Sequence, residues 1–501
     1  MDAEMSELTA RLAEYNDLQA AASVLRWDQM TYMPPGGSAA RGRQLATLDR
    51  LAHERLTDPA LARLLDRIAP RAEREGEGSF AARLVRVARR DVERATKVPA
   101  AFVSAFANHC AEIYERWTRA RPASDFAAVA PLLARTVEMS REYAGFFAPY
   151  AHVADPLIDI ADPDVSTASV RALFAELRAE LVPLVEAIAA AAPIDDRCLH
   201  QRFDEAAQLA FGAAIAARFG YDLARGRQDL THHPFMTKLS LGDVRITTRV
   251  RADDLSEALF STLHEAGHAL YEQHIDPAFE ATPLADGASA GVHESQSRLW
   301  ENLVGRSLPF WSGQYPALQA AFPAQLGGVP LDAFYRAINR VERSLIRTAA
   351  DEVTYCLHVI MRFDFELDLL EGRLAVDDLP EAWRERARAD LGVAPASDAE
   401  GCLQDVHWYD GKVGGAFQSY ALGNLMSAQF FEAALRAHPE IPQEIEAGRF
   451  DTLRRWLAAN IYVHGRARSP DELVLGATGR PLSAAPYLGY LRTKYGALYG
   501  L

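Results

Sequence analysis

The chain has 501 residues, 49% hydrophobic and 24% charged, the profile of an ordinary globular protein with enough apolar residues for a large core. A net charge of −15 argues against a broad nucleic-acid-binding face, although it describes no single pocket. Four cysteines, Cys110, Cys198, Cys356 and Cys402, stand far apart with no C-x-x-C pair. That spacing argues against a cysteine metal cluster or a disulfide framework and suits a reducing cytoplasm.

The opening "MDAEMSELTARLAEYNDLQ" is acidic and amphipathic, without the basic start and apolar core of a signal peptide. No apolar run approaches the roughly 20 residues needed to span a membrane. Apolar residues recur at helical spacing near 4–25, 40–67, 79–118 and 125–148. In "WDQMTYMPP", Trp27 and Asp28 read as the packed end of the first helix, with Pro34 and Pro35 as its stop. A helix over 165–192 has Ser166 or Thr167 as cap, and another covers 203–219. "FMTKLSLGDVRITTRV" (235–250) then alternates apolar and polar residues around Gly242-Asp243, which predicts a short β-hairpin. Its edge could hold an extended peptide by main-chain hydrogen bonds, or the hairpin is a plain structural ribbon. Helical patterns resume over 255–274, 291–305, 331–371 and 420–437. The expected fold class is mainly α.

"STLHEAGHALYEQH" (261–274) carries the chemistry. Residues four apart share a helix face, so His264 and His268 can aim at one ion. Glu265 sits at the edge of that face, where a carboxylate can take the proton of a metal-bound water as it attacks a carbonyl. This is the H-E-x-x-H logic of metallopeptidases. A third ligand is needed. His274 tempts, but Tyr271 stands where the extended three-histidine pattern has its helix-breaking glycine. On a continuing helix His274 lies about 9 Å and about 240° away from His268. In "GVHESQSRLWENLVG" (291–305), Glu294 and Glu301 are seven apart on one face, and spacing does not separate them. Glu272 and His293 read as orienting or structural groups, and Asp286 as a weaker ligand candidate.

Recognition of a peptide end needs a fixed cation. Arg347, on the 331–371 helix with Asp351 one turn on, is one candidate, and Arg245 on the hairpin is another. On residues alone, a surface Arg–Asp pair explains Arg347 equally well. "GCLQDVHW" (401–408) offers Gln404 and His407 as donors, with Asp405 to fix a histidine tautomer, or it is a polar loop closing a helix pair. Tyr420 and His407 are the candidates for oxyanion stabilisation.

The chain resembles the carboxypeptidase Taq family of metallocarboxypeptidases nearly end to end. "WDQMTYMPPGGSAARGRQLATL", "HPF", "DVRIT", "HEAGHALYEQ", "HESQSR", "IRTAAD", "GCLQDVHW" and the terminal "KYGALYGL" carry the resemblance in order. It implies Glu294 as third ligand, Glu265 as general base, one ion per chain that is usually zinc (Co²⁺ or Mn²⁺ also suit the donors), and a homodimer. It implies one large helical domain over 1–501 with a deep active-site cleft. Residues 1–150 would form a wall or lid, and 200–430 the metal and substrate part. The activity implied is release of single residues from peptide C-termini with broad tolerance, and it favours Arg347 as a cleft residue. One departure is "GGAFQSY" (414–420), where Ala416 and Gln418 replace the family's usual tyrosine and proline and Tyr420 is kept. The rival readings are an oligoendopeptidase with the same metal site and a non-catalytic helical scaffold. Peptide substrates are expected, without nucleic-acid or membrane partners.

Overall fold

The computed structural model describes residues 3–501. They are mainly helical, with one three-stranded sheet. The elements that position the site are helix α1 (Ala3–Thr31), helix α2 (Phe80–Lys97), strands β1 (Gln228–Leu230), β2 (Met236–Ser240) and β3 (Asp243–Thr248), and helices α3 (Leu255–Gln273), α4 (Ala290–Arg298), α5 (Tyr355–Glu371) and α6 (Gln418–Ala437). No helix among the described residues is long and apolar enough to cross a membrane.

The first helix ends at Thr31, before Pro34 and Pro35, and Trp27 is buried as expected. The helix expected over 165–192 runs Thr167–Ala190, capped by Ser166 accepting the Ser169 N–H. Prolines divide two longer patterns. Asp58-Pro59 starts a new helix inside 40–67, and Val98-Pro99 ends α2 inside 79–118.

The expected single helix over 331–371 is instead two, Leu331–Ile338 and α5, joined by irregular chain. Asn339 donates side-chain hydrogen bonds to the Tyr335 and Arg306 carbonyls as the first helix ends. Asp351 accepts the N–H groups of Glu342, Val353 and Thr354, which folds the intervening segment back on itself. The helix expected over 291–305 is α-helical only to Arg298 and π-helical over Leu299–Val304.

The hairpin forms as expected, with β2 antiparallel to β3 and a bulge between Lys238 and Ser240. β1 joins β3 in parallel, a third strand the alternation did not announce. Thr248 on β3 hydrogen-bonds the Ala258 carbonyl of α3, so the face carrying Val244 and Ile246 packs on that helix. The opposite face meets α1, where the Arg245 guanidinium lies 4.3 Å from the Trp27 ring centre. Val244 and Ile246 direct their N–H groups to the Arg225 and Arg227 carbonyls. By alternation Arg245 pairs with Thr237, which leaves the main-chain groups of Met236 and Lys238 on the outer edge of β2.

Candidate metal centre

Two glycines set α4 between α3 and α6. A Cβ on Gly267, between the two motif histidines, would lie 2.6 Å from the Gln296 carbonyl oxygen. A Cβ on Gly423 would lie 2.6 Å from Glu294 Cβ. Three backbones thus approach closely, and Glu294 is pressed toward the histidines.

His264 Nε2 lies 3.7 Å and His268 Nε2 3.6 Å from the same oxygen, Glu294 Oε2. The three donor atoms lie within 4.8 Å of one another. Ligands on a tetrahedral zinc ion at about 2.1 Å stand about 3.4 Å apart, so the donor set and its spacing fit such an ion. His274 is excluded as expected. It caps α3, its Nδ1 is 2.8 Å from the Leu270 carbonyl and its Nε2 meets Arg454. Asp286 pairs with Lys238 instead of joining the donors.

Each histidine is oriented through its other nitrogen. His264 Nδ1 lies 2.9 Å from Glu301 Oε2. Glu301, open as a ligand from spacing, here meets the far nitrogen of a candidate ligand. His268 Nδ1 lies 2.8 Å from His293 Nδ1, and His293 Nε2 lies 2.8 Å from Glu272 Oε1. With His268 Nε2 turned to the donors, its Nδ1–H donates to His293, whose Nε2–H donates to Glu272. Glu272 is held in turn by Lys238 of β2 at 2.8 Å. This relay joins the sheet to the metal helix.

Electrostatics follow the packing. Burial raises the Glu265 carboxyl to about 7, against the opposing pull of His264. Burial also opposes charge on Glu294, but Arg298 and His264 outweigh it and hold that carboxyl well below its usual range. Glu301 is lowered to about 2 against burial, again by Arg298 and His264. Burial pushes His268 down to about 4, which keeps the imidazole neutral, as a ligand requires.

The donors and Glu265 line a cavity of about 800 Å³, with His233 and Met236 on one side and Ser419 and Tyr420 on another. A second cavity of about 760 Å³ follows β2 from Met236 to Leu241 and is walled by α1 and α2. Met236 and His293 line both. The outer edge of β2 therefore runs from one space into the other.

The remaining candidates lie at varied distances from this space. Arg347 is 6% exposed and does not line the cavity. Its guanidinium sits behind Tyr420, 5.1 Å from that ring centre. Its partner is not Asp351, as helix spacing suggested, because the chain there is a single 3₁₀ turn (Arg347–Ala349) and not a continuous α-helix. Arg347 Nη2 donates to Asp405 at 2.7 Å and Nη1 to the Tyr355 hydroxyl at 3.2 Å. Asp405 also accepts from Arg362 Nε. It holds two arginines rather than a histidine tautomer, since His407 Nδ1 is 3.9 Å away. Gln404 is structural, accepting the Arg347 N–H and donating to the Leu345 and Glu400 carbonyls. His407 Nε2 lies 3.2 Å from the Tyr420 hydroxyl, and burial lowers this histidine to about 4. Arg245 pairs with Asp243 and stacks on Trp27, outside the cavity wall. At the departure, Gln418 and Ser419 both donate to the buried Asp162, which also accepts the Gly291 N–H at the start of α4. Gln418, one of the two changed residues, thus joins Ser419 in anchoring α6 to α4 through Asp162. Arg298, Lys238, Tyr355 and Arg362 had no assigned role from sequence; Lys238, Tyr355 and Arg362 meet partners on other elements, and Arg298 joins Glu294 of its own helix to Glu301 of the π-helical turn.

The family model of the carboxypeptidase Taq (M32) metallopeptidases matches residues 7–495. Thermostable carboxypeptidase 1 of Thermus thermophilus is 41% identical over 507 residues, covering 99% of this chain and 98% of that one. Carboxypeptidase 1 of Bacillus subtilis is 36% identical, covering 99% and 98%. The crystal structure of an M32 carboxypeptidase from Deinococcus radiodurans superposes with a TM-score of 0.97 at 49% identity, covering all of both chains. With an H-E-x-x-H helix and a converging glutamate in place, the chain belongs to the carboxypeptidase Taq (M32) family of metallocarboxypeptidases.

Proposed function

We propose that the protein removes single amino acids from the C-termini of peptides, with broad side-chain tolerance, using one zinc ion held by His264, His268 and Glu294. The observation that carries this reading is the convergence of those three donors beside Glu265 on one cavity. A divalent cation there polarises a carbonyl and acidifies water. Co²⁺ or Mn²⁺ suits the same N/O donors. Glu265 takes the proton of the attacking water and delivers it to the leaving amine. Its burial, with a carboxyl raised to about 7, suits a group that must both accept and return a proton.

The substrate's own carboxylate is read at the far wall. Tyr420 lines the cavity there with His407 bonded to its hydroxyl, and one layer behind stand two arginines against one carboxylate, Asp405. A carboxylate arriving at Tyr420 meets that excess positive charge, and Arg347 is its nearer source. A neutral amide does not gain from it. The chain N-terminal to the scissile bond lies along the Met236–Lys238 edge of β2, antiparallel to it, and runs toward the second cavity. Residues 1–150 belong to the same catalytic domain and wall that part of the cleft, as Tyr15, Asn16 and Arg94 already do. Arg245 supports β2 from its other face. The enzyme acts as a homodimer in the cytoplasm, where its four free cysteines stay reduced.

The test is a pair of measurements. Glu265→Gln should retain stoichiometric metal and lose hydrolysis by three orders of magnitude or more, a rough figure for removing a general base together with its electrostatic role. The wild type should cleave a blocked dipeptide with a free C-terminus far faster than its amide. Equal cleavage of acid and amide would favour an endopeptidase, and a fully active Glu265→Gln protein would refute the mechanism.

A further inference from the structure

Glu294 has two oxygens, and they stand in different surroundings. Oε2 faces both histidines. Oε1 accepts a hydrogen bond from Arg298 Nε at 2.7 Å, one helical turn along α4. The same guanidinium donates from Nη1 to Glu301 Oε2 at 3.2 Å, the oxygen that meets His264 Nδ1. It lies over the Tyr355 ring with its carbon 4.4 Å from the ring centre, so its plane is held from the side. Tyr355 in turn receives Arg347.

We infer that Arg298 is a positioning residue that makes Glu294 bind the ion through Oε2 alone and ties two of the three ligands to one rigid group. The inference rests on the proposed metal site and deepens it. A carboxylate that offers both oxygens fills two coordination positions. Together with two histidines it takes all four places of a tetrahedral site, a closure that admits water only as a fifth ligand, whereas one Glu294 oxygen leaves the fourth place open for water. A charge-assisted bond to Oε1 opposes that closure, because bidentate binding must give it up. The planar fork also explains why arginine stands here. One end holds a ligand and the other holds the partner of a second ligand, whereas a lysine ammonium is a single point. The π-helical turn after Arg298 brings Glu301 within reach of the same fork.

The experiment compares wild type, Arg298→Lys and Arg298→Met, each as the full chain loaded with Co²⁺. Co²⁺ affinity is measured by chelator competition, and coordination number is read from the visible absorption of the bound ion. Wild type is expected to give the intense bands of a four-coordinate ion. Arg298→Met is expected to bind Co²⁺ roughly 10- to 100-fold more weakly and to give the weak bands of a higher coordination number, with Arg298→Lys in between. Unchanged spectra and affinity in both variants would overturn the inference. X-ray absorption of the Co²⁺ wild type decides the matter even where a variant fails to fold. One short bond from Glu294 agrees with the inference, and two equal bonds contradict it. If wild type binds no Co²⁺ at the histidines at all, the metal site itself fails, a result distinct from either.

Discussion

The two ends of the cleft are built differently. At the metal end every ligand is held by a partner that is itself held. Glu301 stands behind His264, His293 and Glu272 behind His268, and Arg298 behind Glu294. At the arginine end two buried nitrogens have no hydrogen-bond partner among the described residues, Arg362 Nη2 and His407 Nδ1. Arg347 and Arg362 share one carboxylate there, Asp405. Burial raises the carboxyl of Glu366, four residues beyond Arg362, to about 7, so at neutral pH it is only partly ionised. A network whose members hold one another fixes geometry, and one with unpaired members leaves charge uncompensated. On the proposed function, the difference separates an end that positions a reaction from an end that receives a charged ligand.

Crossed substitutions test that separation. Glu301→Ala leaves His264 Nδ1 without its acceptor and should weaken ion binding roughly 10- to 100-fold. Once the protein is saturated with metal, its KM for a free-acid peptide should barely move. Arg362→Gln should do the reverse. Ion affinity stays, and KM for the free acid rises roughly tenfold, about 1.4 kcal/mol of lost attraction, with little change for the amide. Circular dichroism confirms that both are folded. A large loss of metal in Arg362→Gln would break the comparison.

The smallest effect concerns Glu366. Its folded-state value of about 7 lies above the ordinary 4.5, because burial outweighs the bonds from the Trp408 N–H and the Gly414, Gly415 and Ala416 backbone that pull it down. Between those values the folded chain keeps a proton that the unfolded chain has released. The group therefore costs stability as pH rises through that window, on the order of 3 kcal/mol once both states are ionised. Glu366→Gln cannot ionise, so its melting temperature should fall less from pH 5 to pH 8 than that of the wild type. An equal fall in both proteins would mean that Glu366 is already charged, and the arginine end would then carry no excess positive charge.

The metal end was legible in sequence because its first half is local. Helical spacing alone put His264, His268 and Glu265 together and removed His274. It could not choose between Glu294 and Glu301, because both lie on the face that meets the histidines. They differ in which imidazole nitrogen they meet, and a π-helical turn helps decide that. The arginine end was less legible. Periodicity ran unbroken through 331–371, while Asn339 and Asp351 end the helix by side-chain bonds that a pattern of apolar residues does not display. With the helix gone, Arg347 lost its expected partner and took one 58 positions away. Arg298 was in plain view within "HESQSR", but its meaning depends on the two carboxylates it joins.

The central claim is the composition of the ligand shell. Anomalous diffraction at the metal edge, from crystals grown with zinc, tests it most directly. The account expects one ion per chain, about 2.0–2.2 Å from His264 Nε2, His268 Nε2 and Glu294 Oε2, with Glu301 still bonded to His264 Nδ1. A Glu301 oxygen inside that shell, or an ion bound elsewhere with these three donors bare, would contradict it.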